Sequence, residues 1–332
     1  MQEVGLALFG LGNVGRAFIN YLRNAADPGT RLRVNAVADS SGGLFVETAD
    51  ELARISQFKE SGLGIREFAR GRDVQEPGEF VKLLRSRGVA VLVESLPTNI
   101  KNGQPGLDLI RTALENGISV VTVDKGPLVH GFDLLMEAAR QGGSMLRFSG
   151  TTGVVPPDEI TGEGVVEIRG VLNGTTNYVL DEMRERSISF EDALAAAQEA
   201  GIAEPDPSLD VEGWDTACKT LILAKTSMRA KTRLEEISRI GIGGETESLV
   251  QTARARGLAV RLVGRARIWQ GRVRVSVAPK LIQPDSPFFS ISGSSKLAVF
   301  RAESGREFIS RGASSRNSIA ELIHRDIIEC IS

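Results

Sequence analysis

Cysteine, histidine, tryptophan and tyrosine each occur only twice among the 332 residues. Cys218 and Cys330 are far apart, so no disulfide framework is expected, and a reducing cytoplasm suits them. His130 and His324 have no ligand spacing, which removes a Cys/His zinc site and a histidine proton relay. No run approaches about 20 consecutive apolar residues, so no membrane span is expected. Net charge is small: the formal value is -2, which gives no attraction for nucleic acid or an anionic membrane. The opening MQEVGLALFG enters a strand directly, without a secretory leader's basic region and cleavage signal. What is present is 42% hydrophobic and 25% charged residues over about two domain lengths, a composition suited to a nucleotide-binding unit and a second unit handling a small polar metabolite.

The first half alternates strand-like and helical patterns. VGLALFG precedes GLGNVGRAFINYLRNAA, a glycine turn running into an amphipathic helix. RVNAVAD (33–39), VAVLVE (89–94), ISVVTV (118–123) and SMLRFS (144–149) are short β-branched runs, and EFVKLLRSRG, GLDLIRTALENG and GFDLLMEAARQGG are helices ending at glycine. This rhythm predicts an α/β, doubly wound, mainly parallel Rossmann domain over 1–150. Beyond it, GVVEIRGVL is a strand, and NYVLDEMRER, SFEDALAAAQEAG and WDTACKTLILAKTS are helices. Two antiparallel hairpins follow, with turns at Gln270 and Gly271 and at Glu303 to Gly305, before a closing helix. An α+β domain is therefore expected over 151–305, with residues from about 306 to 332 rejoining the first.

GLGNVG sets Gly10, Gly12 and Gly15, with Asn13 and Val14 between them, where a strand gives way to a helix. The first two glycines permit the tight turn and close approach of a pyrophosphate, and the third lets the helix pack on the sheet. Asp39, at the end of the second strand, is placed to accept from an adenosine ribose, which slightly favours NAD over NADP. Arg16 is a candidate partner for a phosphate.

Three further segments carry chemistry. Lys125, in VVTVDKGPL, falls past the carboxyl end of a parallel strand, where such sheets bind ligands; a surface lysine at a turn is the alternative. In VLNGTTNYVLDEM, the backbone N–H groups of Gly174 and Thr175 could bind a carboxylate, and plain N-capping by Asn173 or Thr175 explains the same residues. In AGIAEPDPSLDVEGWDTACK, Pro205 and Pro207 argue against helix until after Asp210, leaving Glu204, Asp206 and Asp210 on a constrained loop. Asp215 and Lys219 then share one helix face at i and i+4. The same helix carries Trp214, Ala217, Cys218, Leu221 and Ile222, so it has little polar face to spare.

Together GLGNVG, PTNIKNGQPG, VVTVDKGPL, GVLNGTTNYVLDEM, AEPDPSLDVEGWDTACK and SRGASS, in this order, resemble the homoserine dehydrogenase family over nearly the whole chain. The resemblance implies NAD(P)-dependent interconversion of L-homoserine and L-aspartate 4-semialdehyde, in threonine and methionine biosynthesis, by a cytoplasmic homodimer. It implies that Lys219 transfers the proton, that Lys125 lies between cofactor and substrate, and that Asp215 contacts the reacting oxygen. Glu204 and Asp210 match residues near the substrate, and Gly201, Glu204, Ser95, Thr98 and Gly312 match positions beside the cofactor. Family members often carry a glutamate followed by a glycine-rich run whose backbone carbonyls largely hold a monovalent cation, Na+; here Phe148 stands at the acid, leaving the carbonyls of Thr151, Gly153 and Val155 as candidate ligands. Asp124 replaces the usual asparagine. Two other readings are a dehydrogenase of another small amino or hydroxy acid and a dinucleotide-binding sensor without turnover.

Overall fold

The computed structural model describes residues 2–24, 30–160 and 162–332. Residues 25 and 26, the end of the first expected helix, lie outside them. The chain forms two units, one running to Thr151 and regaining Arg316–Ser332, the other comprising Thr152–Ser315.

In the first unit, strands β1 (Gln2–Phe9), β2 (Thr30–Asp39), β3 (Gly42–Phe45), β4 (Val89–Glu94), β5 (Ser119–Thr122) and β6 (Leu146–Arg147) form one sheet in the order β3-β2-β1-β4-β5-β6. Pairing is parallel except between β2 and β3. The order explains why VAVLVE and ISVVTV are continuously apolar: central parallel strands are covered on both faces. β3 was not expected from SSGGLFV. It pairs because Gly43 leaves room for Phe80, whose ring carbon would lie 2.1 Å from any Cβ built there. Helix Lys125–Gly142 also starts a turn and a half earlier than GFDLLMEAARQGG suggests, with Gly131 as a kink rather than a start. Pro127 is tolerated because it lies in the first turn.

In the second unit, β7 (Val165–Val171), β8 (Ser238–Arg239), β9 (Ala259–Trp269), β10 (Arg272–Ile282), β11 (Ser295–Ala302) and β12 (Glu307–Ala313) form a sheet in the order β12-β11-β7-β9-β10-β8. All pairs are antiparallel except β8 with β10. The β9–β10 turn is Gln270–Gly271, with φ of 50° and 73°, the left-handed pair that a two-residue hairpin requires. Helix Trp214–Met228 packs on this sheet, and all ten residues from Asp215 to Ala224 are buried. Because β12 pairs with β11 here, only residues from 316 onward rejoin the first unit, a correction to the expected boundary near 306.

Candidate active site

In the first unit, the glycines of the β1 turn meet different demands. Gly10 has φ of +95°, and a Cβ there would lie 2.4 Å from the carbonyl of Ser95. A Cβ on Gly15 would lie 2.1 Å from the carbonyl of Gly10, so this glycine is required by packing. A Cβ on Gly12 would meet no protein atom within 4 Å, so nothing in the fold asks for glycine there. That opening is where a pyrophosphate approaches such a turn. Asn13 and Val14 begin the helix, and Arg16 folds back to donate to the Leu11 carbonyl at 3.2 Å and Asn13 Oδ1 at 3.3 Å.

Asp39 does not present a bare carboxylate. Oδ1 accepts from the Ser41 amide (2.8 Å) and hydroxyl (2.6 Å), and Oδ2 accepts from Lys59 Nζ (2.6 Å) and the Ile65 amide (3.0 Å). Burial raises its pKa, but the bonds from Lys59 and Ser41 outweigh that and hold it below the ordinary value. A ribose hydroxyl would have to displace one of these donors, because a carboxylate has about four acceptor sites. Lys59, 20 residues away on its own 3-10 turn, had no recognisable motif around it.

At the carboxyl ends of β4 and β5, Ser95 Oγ donates to the Gly10 carbonyl at 2.8 Å, so its hydroxyl braces the glycine turn. The Thr98 side chain bonds Asp124, which caps the helix that starts at Lys125 by accepting from the Gly126 amide at 2.9 Å. A cationic Lys125 in the first turn opposes the helix dipole, and the Asp124 carboxylate offsets it. Glu94 is fully buried beside them, accepting from Thr122 Oγ1 at 2.5 Å and the Leu96 amide at 2.8 Å. Burial, then the charge of Asp124, pushes Glu94 up to about 8; burial also raises Asp124. Two carboxyls in one dry pocket do not both ionise readily. Glu94 passed unnoticed in the sequence because it ends an apolar strand and belongs to no local motif.

In the second unit the buried polar groups converge. Lys219 Nζ donates to Asp215 Oδ2 at 2.5 Å and to the Leu172 carbonyl at 3.0 Å, with the two side chains only 9% and 10% exposed. Asn173 bridges the carboxylates: Nδ2 donates to Asp210 Oδ1 at 2.6 Å and Asp215 Oδ2 at 2.9 Å. Its Oδ1 meanwhile caps helix Gly174–Arg186 through the Thr176 amide at 2.9 Å. Capping and site building are thus two ends of one side chain. Burial, then Asp215, raises the pKa of Asp210, while Asn173, Lys219 and Thr175 act against the rise. Asp210 lies in a helical turn, Ser208–Val211, with Pro207 at its cap, so helix begins earlier than the prolines suggested. Trp214 is stacked under Arg239 at 3.8 Å and donates to Glu212 at 3.1 Å, holding the start of the next helix.

Residues 10–149 match the family model for the homoserine dehydrogenase NAD binding domain, and 154–328 match the homoserine dehydrogenase model. The homoserine dehydrogenase of Methanocaldococcus jannaschii is 31% identical, with 96% of this chain and 97% of that protein covered. The chain belongs to the homoserine dehydrogenase family. An NAD(+)-dependent homoserine dehydrogenase of Pseudomonas canavaninivorans is 32% identical over 99% of this chain and 96% of its own. A hyperthermophilic archaeal homoserine dehydrogenase solved in complex with NADPH superposes with a TM-score of 0.79 at 27% identity, covering 99% and 98% of the two chains. The crystal structure of a homoserine dehydrogenase from Thiobacillus denitrificans gives 0.81 at 25%, covering 99% of this chain and 73% of that one. This homoserine dehydrogenase family member is an NAD(P)-dependent oxidoreductase acting on a CH–OH group.

Other positions assigned by resemblance to homoserine dehydrogenases have structural duties. Glu204 is exposed, and the Asn173–Asp210–Asp215–Lys219 network does not include it. Gly201, φ +67°, follows the end of helix Phe190–Glu199, where a left-handed residue closes the turn. Gly174 faces the backbone of Gly293 and Ser294, and Thr175 is buried, its hydroxyl 3.4 Å from the Ile202 carbonyl. Gly312 is tied to Gly153: a Cβ on it would lie 1.7 Å from that carbonyl oxygen.

The cation that the family implies does not fit this chain. Phe148, at the expected acid, packs edge-on against Phe132 at 5.8 Å, and the Thr151 hydroxyl donates to the Thr122 carbonyl at 2.9 Å. In the second unit Lys296 Nζ lies 3.1 Å from the Thr152 carbonyl and 2.6 Å from where a Gly153 Cβ would be. Two unit positive charges about 4 Å apart repel by about 4 kcal/mol at an effective dielectric near 20. Of the expected ligands, Gly153 therefore lies against a lysine side chain of its own unit. Among the described residues, no cluster of three or more His, Cys, Asp or Glu forms another metal site.

Proposed function

We propose that the protein interconverts L-homoserine and L-aspartate 4-semialdehyde with a nicotinamide dinucleotide, using Lys219 as the proton carrier. The Asn173–Asp210–Asp215–Lys219 network, in which Asn173, Asp215 and Lys219 are buried, is the observation that carries this reading. A lysine ammonium has three N–H groups. Asp215 and the Leu172 carbonyl take two of them, which aims the third at a substrate oxygen. In reduction, that N–H protonates the developing alkoxide; in oxidation, the neutral amine takes the hydroxyl proton. The bound nicotinamide supplies or accepts the hydride at the carbon bearing that oxygen. Asp210 and Asp215 give the substrate ammonium an anionic wall, and Asn173 holds them together against their repulsion. The N–H groups that open helix Gly174–Arg186 are suited to the substrate carboxylate. The resemblance assigns Lys125 a role between cofactor and substrate, and Glu204 and Gly201 complete the assignments it carries.

For the cofactor, Asp39 favours NAD, and Lys59 tempers its repulsion of a 2′-phosphate, so both dinucleotides should be accepted with NAD ahead. The two free cysteines suit a reducing cytoplasm, and the family resemblance points to a homodimer. The experiment is an absorbance assay of reduced nicotinamide with L-homoserine and NAD or NADP, from neutral to alkaline pH, beside Lys219→Ala. Turnover is expected with both, faster with NAD, and the variant should lose about 10²- to 10⁴-fold in kcat. Absence of turnover with either dinucleotide would refute the substrate; an unaffected variant would refute the role of Lys219.

A further inference from the structure

The turn 152–155 is organised around a cation that belongs to the chain itself. Lys296, near the start of β11, is only 3% exposed, and Nζ donates to the Thr152 carbonyl at 3.1 Å. Two glycines make space for it. Gly153, φ +71°, brings its Cα so close that a Cβ would lie 2.6 Å from Nζ, 3.0 Å from the Ala313 carbonyl and 3.3 Å from Lys296 Cδ. Gly312, the register partner of Lys296 on β12, leaves room for the Gly153 carbonyl, which would stand 1.7 Å from any Cβ there. The rest of the turn is closed from within: Thr152 Oγ1 donates to the Val154 carbonyl at 2.6 Å, and the Val155 amide donates to Ser310 Oγ at 3.2 Å. The carbonyls of Thr152, Gly153 and Val154 thus each have a neighbour supplied by this unit.

We propose that the Lys296 side chain is a tethered substitute for a bound monovalent cation, so that this protein holds the 152–155 turn without sodium or potassium. An ammonium carries the same unit charge as those ions and offers three N–H groups to carbonyl oxygens. It differs in being covalently held, so its occupancy does not depend on salt concentration, whereas a free ion stabilises only by mass action. Phe148, where the resemblance expects an acid, packs on Phe132 and offers no carboxylate to balance a second cation. The turn and the hairpin end lie within a few residues of both points, 151/152 and 315/316, where the chain passes between units, so a salt-independent clamp here secures both connections on the second unit's side.

Thermal unfolding of the full chain in sodium, potassium or choline chloride at matched ionic strength tests this, because choline is too large for a carbonyl-lined turn. For the wild-type protein the expected difference between salts is below about 1 °C; a saturable rise of about 3 °C or more with sodium or potassium would overturn the proposal. Lys296→Ala opens a hole beside the Thr152 carbonyl, and its melting temperature should be lower in choline and rise saturably with sodium or potassium. A variant indifferent to all three salts would also overturn the proposal. If Lys296→Ala does not fold, wild-type melting together with 23Na linewidths decides: broadening that potassium competes away counts against the tethered lysine, and its absence supports it. Melting and linewidth need no substrate, so failure here leaves the proposed reaction standing, and failure of that reaction leaves this test intact.

Discussion

Asn173 shows how one side chain can serve a helix and a site together. Its carbonyl oxygen caps helix Gly174–Arg186, while its amide joins Asp210 to Asp215. Capping was legible from NGTT, but the bridge was not, because Asp210 and Asp215 lie 37 and 42 residues away. Glu94 is the corresponding case in the first unit. Its folded pKa of about 8 stands above the ordinary 4.5 because of burial and then Asp124. The folded state therefore keeps a proton that the unfolded state releases, so this group's contribution to stability is full below about 4.5 and is lost as pH rises toward about 8. Glu94→Gln cannot titrate and keeps the shape. Urea unfolding at pH 5 and pH 9 should show wild-type stability falling more than that of the variant, by at least about 1.4 kcal/mol, the value of one pKa unit. Parallel profiles would show that Glu94 ionises normally.

At the scale of elements, helix Trp214–Met228 places Asp215 and Lys219 correctly only because β9 lets it approach. A Cβ on Gly264 would lie 1.9 Å from Thr220 Oγ1 and 3.1 Å from Thr216 Cγ2. Gly264→Ala should therefore push the helix outward, with an overpacking cost of about 1–3 kcal/mol and a comparable loss of activity. Thr220→Ala should restore much of both when combined with it. A double-mutant cycle in denaturant and in kcat checks this; independent effects would mean that the helix does not rest on Gly264. The i, i+4 spacing of Asp215 and Lys219 was readable in the sequence, and so was the helix's narrow polar face. Less readable were β3 and the early start of helix Lys125–Gly142, since one depends on a glycine opposite Phe80 and the other on proline tolerance in a first turn.

At the scale of the whole molecule, the first unit is discontinuous, and its final segment is part of its core. Helix Arg316–Ile331 buries Ala320, Ile323 and Ile327, and the Ser149 amide donates to Asp326 at 2.8 Å. Full burial of each large side chain contributes about 1.5–3 kcal/mol, against a total stability of about 5–15 kcal/mol. Truncation before Arg316 should therefore abolish the cooperative melting of the first unit while the second, with its own core, still melts; a two-step calorimetric scan retained after truncation would contradict this. The sequence alone determined the alternation of elements, the glycine turn and the Asp215–Lys219 pair, because these depend on local spacing and short-range sterics, and its ordered motifs carried the resemblance to the family. Tertiary structure decided that β12 stays with the second sheet, that Asp39 is already paired with Lys59, that Glu94 faces Asp124, and that Lys296 bonds the Thr152 carbonyl. Each of these joins residues distant in the chain, and distance in sequence carries no record of which buried charge will find which partner.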